Sequence, residues 1–280
     1  MIQDIYPHKL YNQYDSECEV KEDDIVLNIY KGKILVDSEK IEVNNLAFPK
    51  VKEFGLDREY IYLFKVDDIR FFLINRELEE KDIPKGFGYV TDKRLRTEGM
   101  APDENIFAAI TGKHLSDWYT DTCFCGRCGT KMMHSKKERA MECTECGNRV
   151  YPRIMPAVIV GVTNGDKLLI TRYRTGFAHN ALIAGFTEIG ETVEETVQRE
   201  VMEEAGIRVK NIRYYKSQPW GSANDILLGF YCDVDGDDTI TMDSEELKYA
   251  EWVKREEIGL QPGNFSLTNE MMRMFKEAKR

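Results

Sequence analysis

Three glutamates fall within five positions in the stretch GFTEIGETVEETVQREVMEEAGI, which runs from residue 185 to residue 207. Thr192 and Glu195 have the spacing of a capping box, and Gly206 is typical of the position just after a helix. The sequence therefore predicts a helix from about 193 to 205 that carries all three glutamates.

The predicted helix directs carboxylates toward the fold. At about 100° per residue, Glu200 and Glu204 share the sector of an apolar stripe, and Glu203 flanks it; the stripe consists of Val193, Val197 and Val201. Buried carboxylates are unfavourable unless a cation compensates them, and clustered oxygen ligands suit Mg²⁺ or Mn²⁺. The alternative is a solvated acidic face on which Arg199 pairs with Glu203 across one turn.

Four of the seven cysteines have the spacing of a zinc ribbon. Two Cys-x-x-Cys pairs are separated by fourteen residues, and each is followed by a glycine that permits a tight turn; the predicted ligands are Cys125, Cys128, Cys143 and Cys146. Four sulfurs leave no position for water, which predicts a structural Zn²⁺, with two redox dithiols as the alternative. Cys123 and His134 lie nearby but do not complete a better-spaced ligand set.

The composition favours a soluble, intracellular protein of two or more domains. The chain has 280 residues with a hydrophobic content of 42%, and it contains neither a long apolar run nor the order of a secretion signal. We therefore expect a cytoplasmic protein without a membrane partner. The net charge of −10 argues against a broad electrostatic contact with nucleic acid, although phosphates can still bind through metal ions.

The region before the cysteines predicts a small β-rich domain over 1–101. The stretch DIVLNIYKGKILV is typical of two strands joined at Lys31-Gly32, and YIYLFKVDDIRFFLI of two more joined at Asp67-Asp68. Alternating aromatic residues in this domain are expected to form its core, namely Tyr60, Tyr62, Phe64, Phe71 and Phe72. The sequence does not indicate what this domain does.

The remaining segments predict a helix, the ribbon and a second domain. From Pro102, PDENIFAAITGKHLSDWY changes to helical spacing, which predicts a connecting helix over 102–121 before a ribbon over 122–150. The stretch MPAVIVGVTNGDKLLITRY then predicts a hairpin that turns at Asn164-Gly165 with two positive φ angles. It opens the last domain, over 151–280.

The stretch from 185 to 207 matches every specified position of the Nudix box, G-x5-E-x7-R-E-U-x-E-E-x-G-U. The matching residues are Gly185, Glu191, Arg199, Glu200, Val201, Glu203, Glu204, Gly206 and Ile207. The chain thus resembles the Nudix hydrolases. The resemblance implies an α+β protein whose Nudix α/β/α sandwich follows the zinc ribbon and the small β-rich domain.

The same resemblance implies hydrolysis of a diphosphate joined to another moiety. It makes Glu200, Glu203 and Glu204 ligands of Mg²⁺ or Mn²⁺, and it makes Arg199 the residue that orients a glutamate of the box, with Glu191 in the same catalytic set. In such a site a metal-bound water attacks phosphorus in line after a carboxylate deprotonates it. The general base is left open among Glu203, Glu245 and Glu246.

Features outside the box resemble the zinc-ribbon NADH pyrophosphatases, over about residues 105 to 275. The ribbon immediately precedes the Nudix segment, YPR follows the last zinc knuckle, and SQPW begins at Ser217. The resemblance implies that Tyr151 and Phe186 stack on a base ring, although core packing is the alternative from the residues alone. It implies that Glu246 is a further metal ligand, and that Gln218 and Trp220 belong to the substrate motif.

The substrate motif departs from the family pattern S-Q-P-W-P-F-P-x-S. This chain has SQPWGSAND, so small residues replace P-F-P and Asp225 replaces the last serine. The loss of two prolines and a phenylalanine is expected to loosen the loop, and Asp225 could repel phosphate or accept hydrogen bonds from ribose hydroxyls. These changes concern substrate choice and leave the hydrolytic residues untouched.

Three hypotheses follow. The first is a diphosphatase that cleaves NADH or NAD⁺ to NMN and AMP. The second keeps the chemistry but prefers ADP-ribose, another nucleoside diphosphate derivative or the NAD cap of RNA, and it rests on the altered loop. The third is a zinc-ribbon regulator that senses a nucleotide without hydrolysing it, against which the intact carboxylate set argues. The resemblance also implies a homodimer in which one subunit helps to form the other's site.

Overall fold

A computed structural model of the protein describes residues 1–97, 100–175 and 179–278. The chain forms two compact units. The N-terminal unit comprises Gln3–Arg153 and Gly221–Asn224, and the C-terminal unit comprises Met1–Ile2, Ile154–Trp220 and Asp225–Arg280. Among the helices of the described residues, none is long and apolar enough to cross a membrane. The boundaries expected at 101, 121 and 150 stay predictions.

The described residues of the N-terminal unit form two small sheets, a ribbon and three α-helices. One sheet has the strand order β1-β5-β6-β2 and another has the order β3-β4-β7. The strands are β1 (Leu10–Tyr11), β2 (Ile25–Leu27), β3 (Ile29–Tyr30), β4 (Lys33–Asp37), β5 (Ile61–Val66), β6 (Ile69–Leu73) and β7 (Phe87–Thr91). The helices are α1 (Ser38–Glu42), α2 (Asp92–Thr97) and α3 (Asp103–Asp121). Strands and helices thus confirm an α+β chain, and α3 lies within the segment 102–121 in which a helix was predicted; its role as a connection between domains stays a prediction.

One strand prediction in this unit was wrong. DIVLNIYKGKILV forms three strands because the chain passes from one sheet to the other at Asn28. The buried Asn28 amide nitrogen donates to the carbonyls of Ile74 and Arg76 at 2.8 and 2.9 Å, which fixes this crossover point. The turns at Lys31-Gly32 and Asp67-Asp68 are present where they were predicted.

The aromatic core of this unit is only partly the predicted one. Phe64, Phe71 and Phe72 are almost fully buried, whereas Tyr60 and Tyr62 remain partly exposed. Phe71 and Phe72 are adjacent and point to opposite faces of β6, so both faces of that strand are covered. Phe64 stacks on Phe71 with ring centroids 5.1 Å apart.

The ribbon lies in the same unit, after α3. It is a three-stranded sheet of order β10-β9-β8, formed by β8 (Met132–His134), β9 (Met141–Cys143) and β10 (Arg149–Val150). The strand pairs β8–β9 and β9–β10 are both antiparallel. The ribbon is therefore held by contacts between residues that are close to one another in the sequence.

The C-terminal unit is a six-stranded sheet between helices. Its order is β14-β15-β11-β12-β16, with β13 paired to β11. The strands are β11 (Met155–Asn164), β12 (Lys167–Tyr173), β13 (Ile183–Phe186), β14 (Val209–Trp220), β15 (Asp225–Val234) and β16 (Leu247–Lys254), and the helices are α4 (Val193–Ala205) and α5 (Leu267–Lys276). The pairing of β11 with β15 is parallel, while the other pairings of this sheet are antiparallel.

Alternation along β11 produces the two faces of this sheet. Val158, Val160 and Val162 pack toward α4, in one core with Val197 and Val201. Ile159 points the other way and packs with Leu267 and Met271 of α5. Full burial stabilises each such side chain by about 1.5–3 kcal/mol. Helices on both faces of one sheet confirm the predicted α/β/α sandwich.

The turn between β11 and β12 lies one residue later than predicted. Asn164 pairs with Lys167, so Gly165 and Asp166 are its central residues. Gly165 has a φ of 63°, and Asn164 remains extended in the strand. Asn164 instead donates its side-chain amide to Asp238 at 2.7 Å.

Candidate active site and zinc ribbon

The glutamate-rich helix has the predicted bounds and caps. The Thr192 hydroxyl accepts a hydrogen bond from the Glu195 backbone N–H at 3.2 Å, and the Glu195 carboxylate accepts one from the Thr192 N–H at 2.8 Å. Gly206 ends α4 with a φ of 69°, a left-handed conformation that glycine adopts without strain. Local residues at both ends therefore fix the position of the glutamates along the helix.

Of the three glutamates predicted to bind metal on α4, two face the core and one does not. Glu200 and Glu204 are buried beside Val197 and Val201, while the Glu203 side chain is 58% exposed. A purely solvated acidic face therefore does not describe this helix. Its Arg199–Glu203 pair is nevertheless present, with 2.9 Å between Nη1 and Oε2.

Arg199 connects three carboxylates of the Nudix-box stretch. Its guanidinium donates to Glu191 at 2.6 and 3.0 Å, to Glu200 at 2.7 Å and to Glu203 at 2.9 Å. It also donates to the Phe186 carbonyl at 2.9 Å, which ties β13 to the helix. The bonds from Arg199 lower the pKa of Glu191 to about 2. The predicted orienting role of Arg199 thus has a geometric basis.

Gly185 is required by the position of the Glu200 carboxylate. A Cβ atom at residue 185 would lie 2.0 Å from Glu200 Cδ and Oε1, far inside van der Waals contact. Residue 185 lies on β13, which pairs with β11, so the backbone cannot move away freely. The glycine therefore lets the carboxylate lie directly against the strand.

Tyr173 holds Glu204, and the sequence analysis did not identify it. The Tyr173 hydroxyl lies 3.1 and 3.2 Å from the two oxygens of Glu204 and accepts the Ala184 backbone N–H at 3.1 Å. Burial, aided by the charges of Glu200 and Glu246, raises the pKa of Glu204 to about 8. Nothing in the sequence marks a tyrosine at the end of β12 as a partner of α4, because the contact depends on the sheet pairing.

The further glutamates lie on an exposed segment before β16. Glu245 and Glu246 are both exposed, and the Glu246 carbonyl accepts the Arg174 backbone N–H at 3.0 Å. The negative charge of Glu246 contributes to raising the pKa of both Glu200 and Glu204. Glu246 is therefore electrostatically coupled to the buried carboxylates of α4.

The four predicted cysteines come together at the ribbon. Their sulfurs all lie within 4.8 Å of one another, and three Sγ–Sγ distances are 3.4, 3.5 and 3.6 Å. Tetrahedral Zn²⁺ with bonds of about 2.3 Å requires sulfurs about 3.8 Å apart, so the set fits zinc with little adjustment. Within the described residues, these four are the one group of three or more Cys, His, Asp or Glu with ligand atoms this close.

The two knuckles of the ribbon have the same construction. The Gly129 N–H donates to the Cys125 carbonyl and the Gly147 N–H to the Cys143 carbonyl, and both glycines have positive φ. Backbone N–H groups of Arg127 and Cys128 lower the pKa of Cys125, which favours a thiolate at that position. Cys123 and His134 are outside the group, since Cys123 Sγ contacts the Tyr119 carbonyl and the His134 ring packs on Tyr119.

The two rings predicted to stack on a base are both half exposed. Tyr151 follows β10 of the ribbon, and its hydroxyl donates to Glu138 at 3.1 Å. Phe186 ends β13 with a side chain that is 50% exposed, which rules out ordinary core packing. Their role as stacking residues stays a prediction.

The residues of the SQPW motif differ in accessibility. Gln218 is fully buried, with its amide nitrogen bound to the Phe265 carbonyl and its amide oxygen bound to the Leu267 N–H, so it anchors the start of α5. Trp220 is partly exposed at the end of β14. Asp225 pairs with Trp220 at the start of β15, and burial raises its pKa to about 6. Its Oδ1 has no hydrogen-bond partner among the described residues.

The departure at residue 221 has a steric explanation. A Cβ at Gly221 would lie 2.5 Å from the Ile110 carbonyl oxygen of α3, so a proline there would clash. The backbone at Gly221 therefore follows a path that the first proline of the P-F-P pattern could not take.

Family comparisons agree with these two sites. Residues 153–275 match the NUDIX domain, and residues 122–151 match the NADH pyrophosphatase zinc ribbon domain. The chain thus carries an NADH pyrophosphatase zinc ribbon domain immediately before a NUDIX domain. The Nudix box and the four cysteines therefore lie in domains of the predicted kinds, and the ribbon cysteines form its structural zinc site.

Two similar proteins align with more than half of this chain. NAD-capped RNA hydrolase NudC of Klebsiella pneumoniae (strain ATCC 700721) is 44% identical over 164 residues, which is 57% of this chain and 63% of that protein. NAD-capped RNA hydrolase NudC of Escherichia coli (strain K12 / DH10B) is 42% identical over 154 residues, with 54% and 59% covered. The chain thus spans 63% or less of the length of these two relatives. A solved Nudix hydrolase from Nitrosomonas europaea aligns with a TM-score of 0.48 and 22% identity, over 55% of this chain and 90% of its own.

Proposed function

We propose that this protein hydrolyses the diphosphate bond of NAD⁺ and NADH, giving AMP with NMN from NAD⁺ and with reduced NMN (NMNH) from NADH, and that it also removes the NAD cap of RNA. The observation that carries the proposal is the carboxylate arrangement of α4, with Glu200 and Glu204 buried and Glu203 exposed beside them. Relatives 42% and 44% identical are named NAD-capped RNA hydrolases, which supports the substrate class.

Glu200, Glu203, Glu204 and Glu246 would hold Mg²⁺ or Mn²⁺ in this proposal. Hard oxygen donors suit these ions, and a neighbouring cation would relieve the unfavourable burial that raises the pKa of Glu204. Among the described residues, the carboxylate oxygens do not form a group as compact as the ribbon sulfurs. Mg²⁺ usually binds only one or two carboxylates and completes its coordination shell with waters and substrate phosphates. When bound, such ions neutralise diphosphate charge and acidify a water molecule.

The protein residues supply position and proton transfer. Arg199 orients Glu191, Glu200 and Glu203 through the bonds described above, and Gly185 leaves space for the Glu200 carboxylate. Glu203, Glu245 and Glu246 are the exposed carboxylates from which a general base would come. Glu203 is the one that Arg199 already orients, which favours it for deprotonating the attacking water.

Exposed aromatic rings would stack on a base of the dinucleotide. Tyr151 and Phe186 each offer an exposed ring, and stacking on such a ring accepts any flat group, so neither residue discriminates strongly among bases. Gln218 contributes indirectly, since its buried amide positions the strand that ends at Trp220. We also propose a homodimer, which a molar mass from light scattering of twice the chain's 32.5 kDa would support.

A steady-state assay of NADH, NAD⁺, ADP-ribose and NAD-capped RNA tests the proposal, first with Mg²⁺ and then with Mn²⁺. Products are identified by mass, and a Glu204→Gln preparation serves as the blank for contaminating activity. The expected result is AMP plus NMN from NAD⁺, or AMP plus NMNH from NADH, formed with the highest kcat/KM among the free nucleotides. Binding without turnover under both metals would contradict the hydrolase and favour a nucleotide sensor.

The second candidate is a hydrolase that prefers ADP-ribose, and the altered loop favours it. Asp225 has a buried carboxylate where the family has a serine, and Gly221 lies against α3 where the family has a proline. If ADP-ribose has the highest kcat/KM, Asp225→Ser should be compared with the wild type on all substrates. A shift toward NADH in this variant would assign the preference to Asp225.

A further inference from the structure

The zinc ribbon has the opposite charge from the rest of the chain. Seven Lys or Arg and three Glu lie between 122 and 153, whereas the whole chain has a net charge of −10. Four thiolates around Zn²⁺ would add two negative charges, which leaves a formal excess of two positive charges on a segment of 32 residues. The ribbon is therefore the part of this acidic protein suited to a polyanion.

Five of these cations are exposed and available for a ligand. The other two are engaged, since Arg149 pairs with Glu138 and Glu142 at 2.8 and 2.7 Å, and Arg139 donates to the Leu63 carbonyl. No side-chain hydrogen bond or ion pair with the described residues is recorded for the exposed five, which are Arg127, Lys131, Lys136, Lys137 and Arg153. Unpaired cations on a rigid, metal-held scaffold lose little entropy or internal contact when they bind phosphates.

Apolar side chains accompany these cations on one face of the ribbon. Phe124 and Lys131 are opposite residues of an antiparallel bridge, so their side chains leave the ribbon on the same side. Lys131 and Met133 are two residues apart along one extended segment and share that side, while Met132 between them is buried. The Phe124 side chain is 66% exposed. A ring beside an ammonium group can stack on a base and contact the neighbouring phosphate.

We propose that this face of the ribbon, comprising Phe124, Lys131 and Met133, together with the exposed Arg127 of the knuckle that follows Phe124, binds the single-stranded body of a capped RNA substrate. The inference rests on the proposed action on NAD-capped RNA, and it assigns the RNA chain, as distinct from the dinucleotide cap, to a separate surface. Charge complementarity favours RNA over a protein partner, and the exposed ring favours unpaired bases over a duplex, whose bases are already stacked.

The test uses an unstructured RNA of about 20 nucleotides, longer than the site sizes of about 4–16 nucleotides typical of single-strand binding folds. It carries either a 5′ NAD or a 5′ triphosphate. Binding is measured by fluorescence anisotropy without divalent metal, and kcat/KM is measured for NAD-capped RNA and for NADH. The variants are Arg127→Glu with Lys131→Glu, and separately Phe124→Leu and Phe124→Trp. Lys33→Glu with Lys85→Glu, two exposed lysines of the same unit, is the matched charge control.

The charge reversal is expected to weaken binding of both RNAs about tenfold or more at low salt. The slope of log K against log salt should decrease by about 1.4, since each lost phosphate contact on a single strand removes about 0.7. kcat/KM for NAD-capped RNA should fall accordingly, while kcat/KM for NADH stays within about twofold of wild type. Phe124→Leu should weaken RNA binding about fivefold, and Phe124→Trp should restore it, because a leucine cannot stack on a base.

Other outcomes would overturn the inference. The first is that the wild type does not bind RNA at low salt. The second is that the charge reversal lowers kcat/KM equally for NADH and for NAD-capped RNA. The third is that the control pair Lys33→Glu with Lys85→Glu weakens RNA binding as much as the charge reversal does. A change in molar mass with the charge reversal would show that this face joins two copies of the chain instead. Zinc content of one per chain in each variant excludes loss of the ribbon. If NADH is not hydrolysed at all, the proposed function fails, yet the anisotropy measurement still decides whether this surface binds RNA.

Discussion

The two metal-binding regions of this protein are built in contrasting ways. In the ribbon, all four ligands come from two short turns, and their sulfurs already lie within 4.8 Å of one another. On α4 the carboxylates are spread between buried and exposed positions, and residues from β12 and β13 orient them. Four thiolates complete the tetrahedral shell of zinc, whereas a site built from carboxylates for a hard cation leaves positions for water and substrate phosphates. The ribbon is thus a closed ligand set, and the proposed site on α4 is an open one.

The largest expected effect on activity comes from substitution of the buried Glu204. Glu204→Gln keeps the shape of the side chain but removes a metal ligand, so kcat should fall about a hundredfold or more. The melting temperature should not decrease, because the substitution removes a carboxylate whose burial is unfavourable. Steady-state kinetics and thermal denaturation check both statements. Glu194→Gln, at an exposed position of the same helix, is the control, and near-normal activity of Glu204→Gln would contradict the metal site.

The ribbon should respond to ligand loss through stability. Cys143→Ser is expected to release zinc, and the free energy of unfolding of the N-terminal unit should drop, since structural zinc contributes about 10–16 kcal/mol in isolated fingers. Zinc content by atomic emission and thermal denaturation measure this. Cys123→Ser should keep a full equivalent of zinc because Cys123 lies outside the ligand group. Equal zinc content in Cys143→Ser and Cys123→Ser would contradict the assignment of the four cysteines as the zinc ligands.

Glycine substitutions compare the two regions directly. Gly185→Ala places a methyl group where the Glu200 carboxylate lies, so kcat/KM should fall about tenfold or more as the carboxylate is displaced. Gly126 lies between two zinc ligands, and a Cβ atom there would have no neighbour within 4 Å. Its φ is not positive, so alanine can adopt the same backbone conformation. Gly126→Ala should change neither zinc content nor activity. Full activity of Gly185→Ala would mean that Glu200 can move without consequence.

Tyr173→Phe should have the smallest effect of the four. It removes one hydrogen bond to Glu204 and leaves the Ala184 N–H without its acceptor, so the carboxylate is less well oriented. The concentration of Mg²⁺ at half-maximal rate is expected to rise up to about tenfold with little change in kcat at saturating metal. Tyr249→Phe on β16 is the control, since no hydrogen bond of its hydroxyl is recorded within the described chain. A fall in kcat at saturating metal would instead give Tyr173 a direct catalytic role.

The sequence predicted the local parts of both sites. Capping residues at Thr192 and Gly206 determine where α4 begins and ends, and the cysteine spacing determines which sulfurs meet. The burial of Glu200 and Glu204 followed from their spacing relative to Val197 and Val201. Each of these features depends on contacts only a few residues apart, which helical and turn geometry fix without knowledge of the rest of the chain.

Features that depend on distant parts of the chain could not be predicted in this way. The strand break at Asn28, the partnership of Tyr173 with Glu204 and the burial of Gln218 all arise from contacts between segments that are far apart in sequence. The turn after Asn164 shifted by one residue because the pairing register of β11 and β12 decided it.

The sequence by itself thus determined the chemistry of this protein, namely carboxylates for a hard metal ion and thiolates for zinc. Only the tertiary structure decided how each carboxylate is held: Arg199 connects three of them, Tyr173 binds Glu204, and Gly185 leaves space for Glu200. The physical reason is that residue type and spacing fix which groups share a turn or a helix face. Sheet pairing and packing fix which distant atoms approach within hydrogen-bonding distance.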